Sequence, residues 1–336
     1  RPLQRFGLRS LLAPVGSCIM DSMETLVVGS RGSRLALRQT QQVIDELERL
    51  WPGLHCRVQV IRTTGDAAAD MPLASIGEKG LFVKEIELAL VRGDIDVAVH
   101  SAKDLPSETD SSLTIAAYCE REDPSDALVS SAGALHQLPP GARVGTGSVR
   151  RRAQLLSARP DIRVVDLRGN LDTRLAKAAG ADYDAVVLAL AGLRRMGWEE
   201  RVTQILPFDV CLPAAGQGAI AVQCRSDGEA RRLLPALDHA PTRACVTAER
   251  ALLRRLGAGC QTPVAALART DECVLRLKAL VAADDGSTVV RRSADGDAAQ
   301  PAELGVRLAE ELLATPAKDL LDRARPGNQS RTIGAP

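Results

Sequence analysis

The fold is set by residues 25–53, TLVVGSRGSRLALRQTQQVIDELERLWPG, in which a strand, a glycine turn and a helix follow one another. The β-branched run Thr25–Val28 predicts a strand, and the apolar spacing over 35–50 predicts an amphipathic helix. Proline and glycine after Trp51 end that helix. Strand-like runs at 57–61 and 95–99 flank a second helical pattern at 82–91. Because strands and helices alternate, the sequence predicts an α/β fold with largely parallel strands.

The same alternation occurs again between residues 113 and 190, and the pattern changes after residue 241. A helical pattern at 242–256, strand-like runs at 274–280 and 288–291 and a helix at 302–313 predict a small α+β domain. The apolar segment 212–222 is interpreted as a strand that returns to the first unit. The predicted division is an N-terminal extension, disordered or targeting, at 1–22; domain 1 at 23–120 plus 216–238; domain 2 at 121–215; domain 3 at 239–326; and a tail at 327–336.

The first residues differ from the rest, because three arginines precede a short apolar piece and no acidic residue occurs before Asp21. Three interpretations stay open. A signal peptide ending near Cys18 would have an unusually short apolar core, whereas a transit peptide fits the arginines and the lack of acids. The third is an upstream extension, with Met20 or Met23 as the natural start.

Composition excludes several classes of protein. Hydrophobic residues make up 45 % and charged residues 25 % of the chain, which is typical of a globular protein and not of a disordered one. The net charge of +1 provides no global field for nucleic acid or a membrane surface. Aromatic residues, at 2 %, are too few for a base-stacking surface. No apolar run reaches the length of about eighteen residues that a membrane span requires.

Eight cysteines are scattered along the chain, with no CxxC pair. Their spacing excludes CxxC zinc sites and redox pairs, and it fits a reducing cytosol. The four histidines are equally scattered, so the sequence predicts no metal site.

Three turns share one design, in which a strand end is followed by a glycine-rich turn and a helix start. They are Gly29–Ser33, Gly145–Ser148 and Leu167–Asn170. Backbone N–H groups at such helix starts bind anions, and an arginine fork holds a carboxylate with two hydrogen bonds. The arginines in or beside these turns are Arg31, Arg150, Arg151, Arg168 and Arg174. No Walker loop is present, so a carboxylate is favoured over a nucleotide phosphate; capped helices with solvated arginines are the alternative.

Asp104 and Lys103 follow a predicted buried strand in the segment His100–Pro106. Ligands of open α/β sheets bind at the carboxyl ends of strands, where a carboxylate can stabilise a cation or move a proton. The alternative is that Asp104 only caps a turn. Cys260 follows the glycine turn Gly257-Ala-Gly259, where a thiolate can be a nucleophile or an attachment point. The alternative for this cysteine is a packing role.

Four blocks in order resemble the porphobilinogen deaminase, or hydroxymethylbilane synthase, family, from about residue 27 to residue 314. They are Gly29-Ser-Arg-Gly-Ser-Arg-Leu-Ala36; Ile76-Gly-Glu-Lys-Gly-Leu-Phe-Val-Lys-Glu85 with His100-Ser-Ala-Lys-Asp-Leu-Pro106; Val144-Gly-Thr-Gly-Ser-Val-Arg-Arg151 with Leu167-Arg-Gly-Asn170; and Leu256-Gly-Ala-Gly-Cys260. The resemblance implies three domains, of which the first two resemble the lobes of a type II periplasmic binding protein and the third is a small α+β domain.

The resemblance also implies an activity. Four porphobilinogen molecules are condensed head to tail, with loss of ammonia, on a dipyrromethane cofactor attached through Cys260, and water then releases the linear tetrapyrrole hydroxymethylbilane. It implies a cytoplasmic monomer in tetrapyrrole biosynthesis that passes its product to uroporphyrinogen-III synthase. Organelle targeting by the N-terminal extension is the alternative location.

Site residues follow from the resemblance position by position. Asp104 matches the catalytic carboxylate, which stabilises the azafulvenium cation that remains when porphobilinogen loses ammonia. Matches to cofactor-binding positions are Cys260, Lys103, Arg31, Ser33, Thr146, Ser148, Arg150, Arg151, Arg168 and Gly169. Matches to substrate-binding positions are Arg31, Arg168, Arg174, Arg195, Gln217 and Phe82.

The match departs from the family at Gly147, where serine is common, and at Ala258, where glycine is common. Neither position is assigned chemistry. From the fold prediction alone, a two-lobed carboxylate-binding protein without catalysis is the alternative function. Against it, such a protein has no use for a cysteine on the glycine turn of a third domain.

Overall fold

The computed structural model describes residues 25–63, 83–106, 108–259 and 262–324. Its strands form three sheets, and each sheet organises one part of the molecule. We refer to these parts as lobe 1, lobe 2 and domain 3. The predicted α/β fold in three domains, two of them a pair of lobes, is confirmed. The residue boundaries of the domains stay a prediction.

Lobe 1 is built on a five-stranded sheet whose order is β2-β1-β3-β10-β4. Strands β1, β2 and β3 are parallel, and β10 runs antiparallel to both β3 and β4. The elements of lobe 1 are β1 (Thr25–Arg31), α1 (Arg34–Leu50), β2 (His55–Ile61), α2 (Lys84–Arg92), β3 (Val97–Ser101), β4 (Leu113–Tyr118) and β10 (Ile220–Arg225).

Lobe 2 repeats this arrangement with the sheet order β7-β6-β8-β5-β9. Strands β6, β7 and β8 are parallel, and β5 runs antiparallel to both β8 and β9. Its elements are β5 (Asp126–Ser130), β6 (Arg143–Gly145), α3 (Val149–Ala158), β7 (Arg163–Val165), α4 (Leu171–Lys177), β8 (Ala185–Ala189), α5 (Leu190–Arg195) and β9 (Gln204–Ile205).

Each of these two sheets therefore has four strands in one direction and one antiparallel strand, which confirms the expectation of largely parallel strands. In each lobe the antiparallel strand directly follows a segment in which the chain passes from one lobe to the other. We call these two segments the crossovers. The chain enters lobe 2 at β5, directly after residues 119–125, and it returns to lobe 1 at β10 after residues 206–219. Within the described residues, these two crossovers connect the lobes.

Domain 3 consists of an antiparallel sheet, β11-β12-β13, packed against helices. Its core joins Leu252 and Leu256 of the long helix to Leu277 of the sheet and Leu308 of the next helix. The long helix ends at Gly257, whose φ of 65° is a left-handed conformation that glycine adopts without strain. The elements are α6 (Ala240–Leu256), β11 (Val264–Asp271), β12 (Val274–Ala282), β13 (Val289–Asp297), α7 (Pro301–Leu313) and α8 (Ala317–Ala324).

Domain 3 packs against both lobes. Val246 of α6 packs with Ala102 and Tyr118 of lobe 1, whereas Leu267 of β11 packs with Ala153 of α3 in lobe 2. Each contact removes apolar surface from water and so stabilises the assembly.

A fully buried carboxylate, Glu249 of α6, lies where domain 3 meets the crossovers. It accepts hydrogen bonds from Arg121 Nη1 at 2.7 Å, from the Gly216 N–H at 2.6 Å and from the Ala268 N–H at 2.7 Å. Arg121 belongs to the first crossover and also donates through Nε to the Gln217 carbonyl of the second, at 2.8 Å. One carboxylate thus holds both crossovers and the first strand of domain 3 together.

Most predicted elements occur with ends that differ by a few residues, and two predictions need correction. The helix predicted at 82–91 begins at Lys84, while Phe82 lies outside the described residues. The returning strand predicted at 212–222 occupies only Ile220–Arg225, because residues 215–218 form a turn before it. Strands β9 and β11 and helices α5 and α8 were not predicted. The N-terminal extension and the tail lie outside the described residues.

None of the described helices has the length and apolar character needed to cross a membrane.

Candidate active site

A cleft of about 260 Å³ opens between the lobes at the carboxyl ends of parallel strands. Arg31 ends β1, Ser101 ends β3 and Ala189 ends β8, and all three line the cleft. This is the place that open α/β sheets provide for a ligand, because loops and helix starts converge there.

The lobes contact each other beside this cleft. Arg38 Nε of α1 donates to the Arg195 carbonyl of α5 at 3.4 Å, and the Arg34 guanidinium lies 5.5 Å from the centre of the Trp198 ring. The cleft is therefore bordered by residues of both lobes in mutual contact.

Two segments of lobe 1 present polar groups to the cleft. Ser33 begins α1, where its Oγ accepts from the Ala36 N–H at 3.3 Å, and the same side chain lines the cleft. After β3 the chain forms a short 3₁₀ turn, Ala102–Asp104, that places Lys103 and Asp104 at the cleft. Asp104 is exposed, so its carboxylate is open to a ligand.

Positive charge dominates the lining. Among the described residues that line the cleft, the cations are Arg31, Lys103, Arg151, Arg174 and Arg195, and the single carboxylate is Asp104. Arg174 Nε donates to the Gly169 carbonyl and Arg195 Nη2 to the Gly218 carbonyl, each at 2.7 Å. A carbonyl orients a guanidinium without neutralising it, so the cleft keeps a local positive field although the whole chain is nearly neutral.

Burial lowers the pKa of three of these cations. It lowers the pKa of Lys103 to about 8, against the opposing effect of the neighbouring Asp104. It lowers the pKa of Arg174 to about 10, and the positive charges of Arg151 and Arg168 act in the same direction. The pKa of Arg195 is also lowered by burial. Perturbed titratable groups that share a cleft are typical of functional sites. Here an anionic ligand would offset the free-energy cost of burying the cations.

His100 lines the cleft as a neutral side chain. Burial lowers its pKa to about 4, and its Nε2 lies 3.0 Å from Gln223 Oε1. Because Gln223 Nε2 donates to Glu87 Oε1 at 2.8 Å, Gln223 Oε1 is left to accept from the imidazole. This contact assigns the Nε2–H tautomer to His100.

Behind the cleft wall lies a buried ion cluster centred on Asp126, the first residue of β5. Asp126 Oδ1 accepts from Arg151 Nη2 at 2.7 Å and from Arg151 Nε at 3.0 Å, and Oδ2 accepts from Arg150 Nη1 at 2.7 Å. Burial alone would raise the pKa of Asp126, but the two arginines outweigh it and hold that pKa well below its usual range.

The structure brings eight of the sequence-predicted site residues to the cleft and leaves five others beside or behind it. Those that line the cleft are Arg31, Ser33, Lys103, Asp104, Arg151, Gly169, Arg174 and Arg195. The five others that the structure describes are Thr146, Ser148, Arg150, Arg168 and Gln217. Phe82 and Cys260 lie outside the described residues.

The contacts of those five explain their positions. Arg150 Nη1 is used by Asp126 and by the Leu212 carbonyl at 2.6 Å. Ser148 caps α3, and Arg168 Nε donates to Asp166 at 2.7 Å. Gln217 is 1 % exposed, while Thr146 is buried at the turn before α3. Their roles toward a ligand stay predictions.

Sequence reasoning missed Gln39, Ser101 and Asp126. Gln39 and Ser101 exchange hydrogen bonds of 3.0 and 3.1 Å at the cleft lining. Gln39 lies four residues after Leu35 and three after Ala36, which also line the cleft, so helical spacing within α1 could have found it. Asp126 carries a weaker signal, a charged residue at the start of the apolar run Ala127–Val129.

The comparisons with known proteins agree with this geometry. Residues 26–232 match the family model "Porphobilinogen deaminase, dipyromethane cofactor binding domain", and residues 243–314 match "Porphobilinogen deaminase, C-terminal domain". The chain belongs to the porphobilinogen deaminase family. The resemblance seen in the four sequence blocks is thereby confirmed, across both lobes and domain 3.

Similar relatives span nearly the whole chain. The porphobilinogen deaminase of Pelotomaculum thermopropionicum is 52 % identical over 302 residues, which cover 89 % of this chain and 97 % of that protein. The porphobilinogen deaminase of Desulforudis audaxviator is 50 % identical over 304 residues, which cover 90 % and 98 %. Among solved structures, the VFT2 domain (double mutant) of Bordetella pertussis BvgS gives a TM-score of 0.37 at 17 % identity, over 64 % of this chain and 86 % of that one.

The cofactor of the family fits the residues at this cleft. A dipyrromethane bears an acetate and a propionate on each pyrrole ring, and the described lining offers five cations against one carboxylate. Arginine forks and a lysine ammonium suit carboxylate groups, and the perturbed cations gain counter-charges when such groups bind. The residues present therefore match the chemistry of the cofactor.

Proposed function

We propose that this chain is a hydroxymethylbilane synthase that works in the cleft between the lobes. It condenses four porphobilinogen molecules head to tail, with loss of ammonia, and releases the linear tetrapyrrole by hydrolysis. The observation that carries the proposal is the pairing of a cation-rich lining with one exposed carboxylate, Asp104, in a chain of this family.

The cations bind and orient the substrate in this proposal. Porphobilinogen carries an acetate and a propionate, and Arg31 and Arg174 from opposite lobes can each hold a carboxylate with two parallel hydrogen bonds. Lys103 adds a point charge from the turn beside Asp104. Charge-assisted hydrogen bonds contribute about 1.5–3 kcal/mol each, so a few suffice to offset the desolvation of a dicarboxylate. Fixing the substrate in this way aligns its aminomethyl carbon for attack.

Asp104 acts on the charge that develops during deamination. Loss of ammonia leaves a positive charge spread over the pyrrole nitrogen and the methylene carbon. A carboxylate beside the pyrrole N–H stabilises that charge, and it can take up the proton that leaves when the new carbon–carbon bond forms. Being exposed, Asp104 can approach successive substrates as they enter.

The dipyrromethane cofactor, when bound, supplies the free pyrrole α-carbon at which chain growth begins. The residues that would hold its carboxylates are the cleft cations Arg151 and Arg195, with Ser33 at the start of α1. Cys260 is the proposed attachment point through a thioether. Of the described neighbours of this cysteine, the Thr262 N–H donates to the Gly259 carbonyl at 3.1 Å.

We also propose a cytoplasmic monomer whose product passes to uroporphyrinogen-III synthase. The cysteines that the structure describes are all free thiols, which supports a reducing compartment.

Intact mass spectrometry of the purified protein tests the proposal. We expect the wild type to carry the extra mass of two linked pyrrole units, and Cys260→Ser to lack it. Cys273→Ser is the matched control, because Cys273 is an exposed thiol on a different turn, and it should keep the added mass.

If the wild type carries no added mass, adding porphobilinogen and measuring ammonia release distinguishes an enzyme without its cofactor from a binding protein. If the wild type is unmodified, gains no mass with porphobilinogen and releases no ammonia, the proposed function is wrong and a carboxylate-binding protein remains. If Cys260→Ser turns over porphobilinogen at the wild-type rate, the attachment role of Cys260 is wrong.

A further inference from the structure

A buried carboxylate behind the cleft wall connects groups from both lobes that face the ligand. Asp126 is 0 % exposed and accepts from five side-chain donors. They are Arg150 Nη1 at 2.7 Å, Arg151 Nε at 3.0 Å, Arg151 Nη2 at 2.7 Å, Gln217 Nε2 at 2.8 Å and Cys211 Sγ at 3.2 Å. Only Arg151 among these donors lines the cleft.

From this geometry we propose that Asp126 is a positioning residue for the reaction, which fixes Arg151 of lobe 2 and, through Gln217, Lys103 of lobe 1. The proposal rests on the proposed function. Asp126 does not touch the cleft, so its effect on the substrate is indirect.

The first step of the argument concerns Arg151. Its guanidinium is held on two sides, by Asp126 through Nε and Nη2 and by the Val187 carbonyl through Nη1 at 3.0 Å. These contacts leave little rotational freedom, so the part of the guanidinium that reaches the cleft has one orientation. Preorganised cations bind a carboxylate without first losing side-chain entropy.

The second step concerns the connection to lobe 1. Gln217 Nε2 donates to Asp126 Oδ1 and to the Pro124 carbonyl at 2.7 Å, which fixes the orientation of its amide. Gln217 Oε1 is then turned to accept from Lys103 Nζ at 3.5 Å. Pro124 and Gln217 belong to the two crossovers, so the ammonium beside Asp104 is held relative to lobe 2 through both connections.

The third step concerns charge. The charged groups that act on Lys103 are Asp104 of its own turn, Asp126 of β5, and Arg150 and Arg151 of α3. Burial and the two arginines lower the pKa of Lys103, whereas the two carboxylates raise it. Removing the charge of Asp126 therefore lowers the pKa of Lys103 below its present value of about 8.

Asp126→Asn tests the proposal. We expect kcat/KM for porphobilinogen to fall about tenfold to a hundredfold, chiefly through KM, because Arg151 and Lys103 lose their fixed positions. We also expect the alkaline limb of the pH profile to move to lower pH, because Lys103 loses its proton earlier. Intact mass measured beside activity shows whether the primer is loaded.

A second variant covers the possibility that Asp126→Asn folds poorly, since it leaves two buried arginines without a counter-charge. The double variant Asp126→Asn/Arg150→Met removes one of these cations and so restores the local charge and much of the thermal stability. We expect kcat/KM to stay at least about tenfold low in this variant, because Arg151 and Gln217 still lack the carboxylate. Recovery of the wild-type kcat/KM would overturn the proposal and leave Asp126 a charge-balancing role only.

Asp238→Asn is the matched control. Asp238 is, like Asp126, a carboxylate paired with an arginine, Arg243 Nε at 2.6 Å, but it is only partly buried and lies outside the cleft lining. It should lose stability and keep both kcat/KM and the alkaline limb. An equal shift of that limb in this control would overturn the proposal. Turnover of porphobilinogen by the wild type in the same assay separates the role of Asp126 from the proposed function. A wild type without turnover would count against the proposed function and not against the role of Asp126.

Discussion

At the scale of single residues, the sharpest prediction concerns the exposed carboxylate of the cleft. Asp104→Asn keeps the shape of the side chain and removes the charge that would stabilise the cation formed on deamination. Groups that stabilise charge or move a proton contribute about a hundredfold or more to the rate. We expect a loss of that size in kcat with an unchanged melting temperature, because the exposed side chain adds little to packing.

Asp110→Asn is the control for that variant. Asp110 lies on the loop that follows, where its Oδ1 accepts from Ser112 Oγ at 2.6 Å, outside the cleft lining. It should leave turnover unchanged. A loss smaller than about tenfold in Asp104→Asn, roughly 1.4 kcal/mol in the barrier, would show that Asp104 is not the main catalytic group.

The same scale shows where sequence reasoning ends. Asp104 and Lys103 could be assigned because they follow a buried strand and match a specific motif. Arg150 and Arg151 are neighbours with the same chemistry, yet only Arg151 reaches the cleft. Both side chains donate to Asp126, but Arg150 Nη1 also donates to the Leu212 carbonyl, 62 residues along the chain. A contact of that separation depends on how the second crossover packs against α3, and no local pattern reveals it.

At the scale of elements, two serine-capped helices offer a matched comparison. Ser33 Oγ caps α1 by accepting from the Ala36 N–H, and Ser148 Oγ caps α3 by accepting from the Arg151 N–H at 3.4 Å. Replacing a capping serine by alanine costs about 1 kcal/mol in either case. Only Ser33 also lines the cleft, so the two variants should lose similar stability but differ in ligand affinity.

The measurement is thermal unfolding beside the KM for porphobilinogen in Ser33→Ala and Ser148→Ala. We expect similar drops in melting temperature, with a raised KM in Ser33→Ala only. An equal rise of KM in both variants would place Ser148 at the ligand, as the family resemblance predicts, and would contradict a capping role alone.

The elements themselves were predictable where periodicity was strong. Helices α1 and α6 have amphipathic spacing and glycine or proline at their ends, so local sequence determines them. Strand β11 was missed because Val264–Ala268 contains three alanines, whose preference for strands is weak. It is a strand because it pairs with β12 over its full length and is buried from Val264 to Ala268.

At the scale of the whole molecule, the sequence order of the elements predicted two lobes but not the pairing within them. Placing β10 between β3 and β4 joins residues more than a hundred positions apart, such as Val222 with Val99 and Ala117. These pairings form only once the chain has crossed to lobe 2 and returned, because β10 follows the second crossover. Glu249 lies at the point where both crossovers meet domain 3. The stability of that junction is therefore a property of the assembled chain.

The last prediction concerns this junction. Glu249→Gln keeps the side-chain volume and leaves the Arg121 guanidinium, 10 % exposed, without its counter-charge, which should cost about 3–5 kcal/mol. Glu310→Gln is the matched control, because Glu310 pairs with Arg255 at 2.8 Å with both side chains largely exposed, where loss costs about 0–1 kcal/mol. Denaturant unfolding compares the two, and amide hydrogen exchange at residues 119–125 and 213–219 should quicken only in Glu249→Gln. Equal costs would mean that the crossovers and domain 3 are held by apolar packing, with the buried carboxylate adding nothing beyond a surface ion pair.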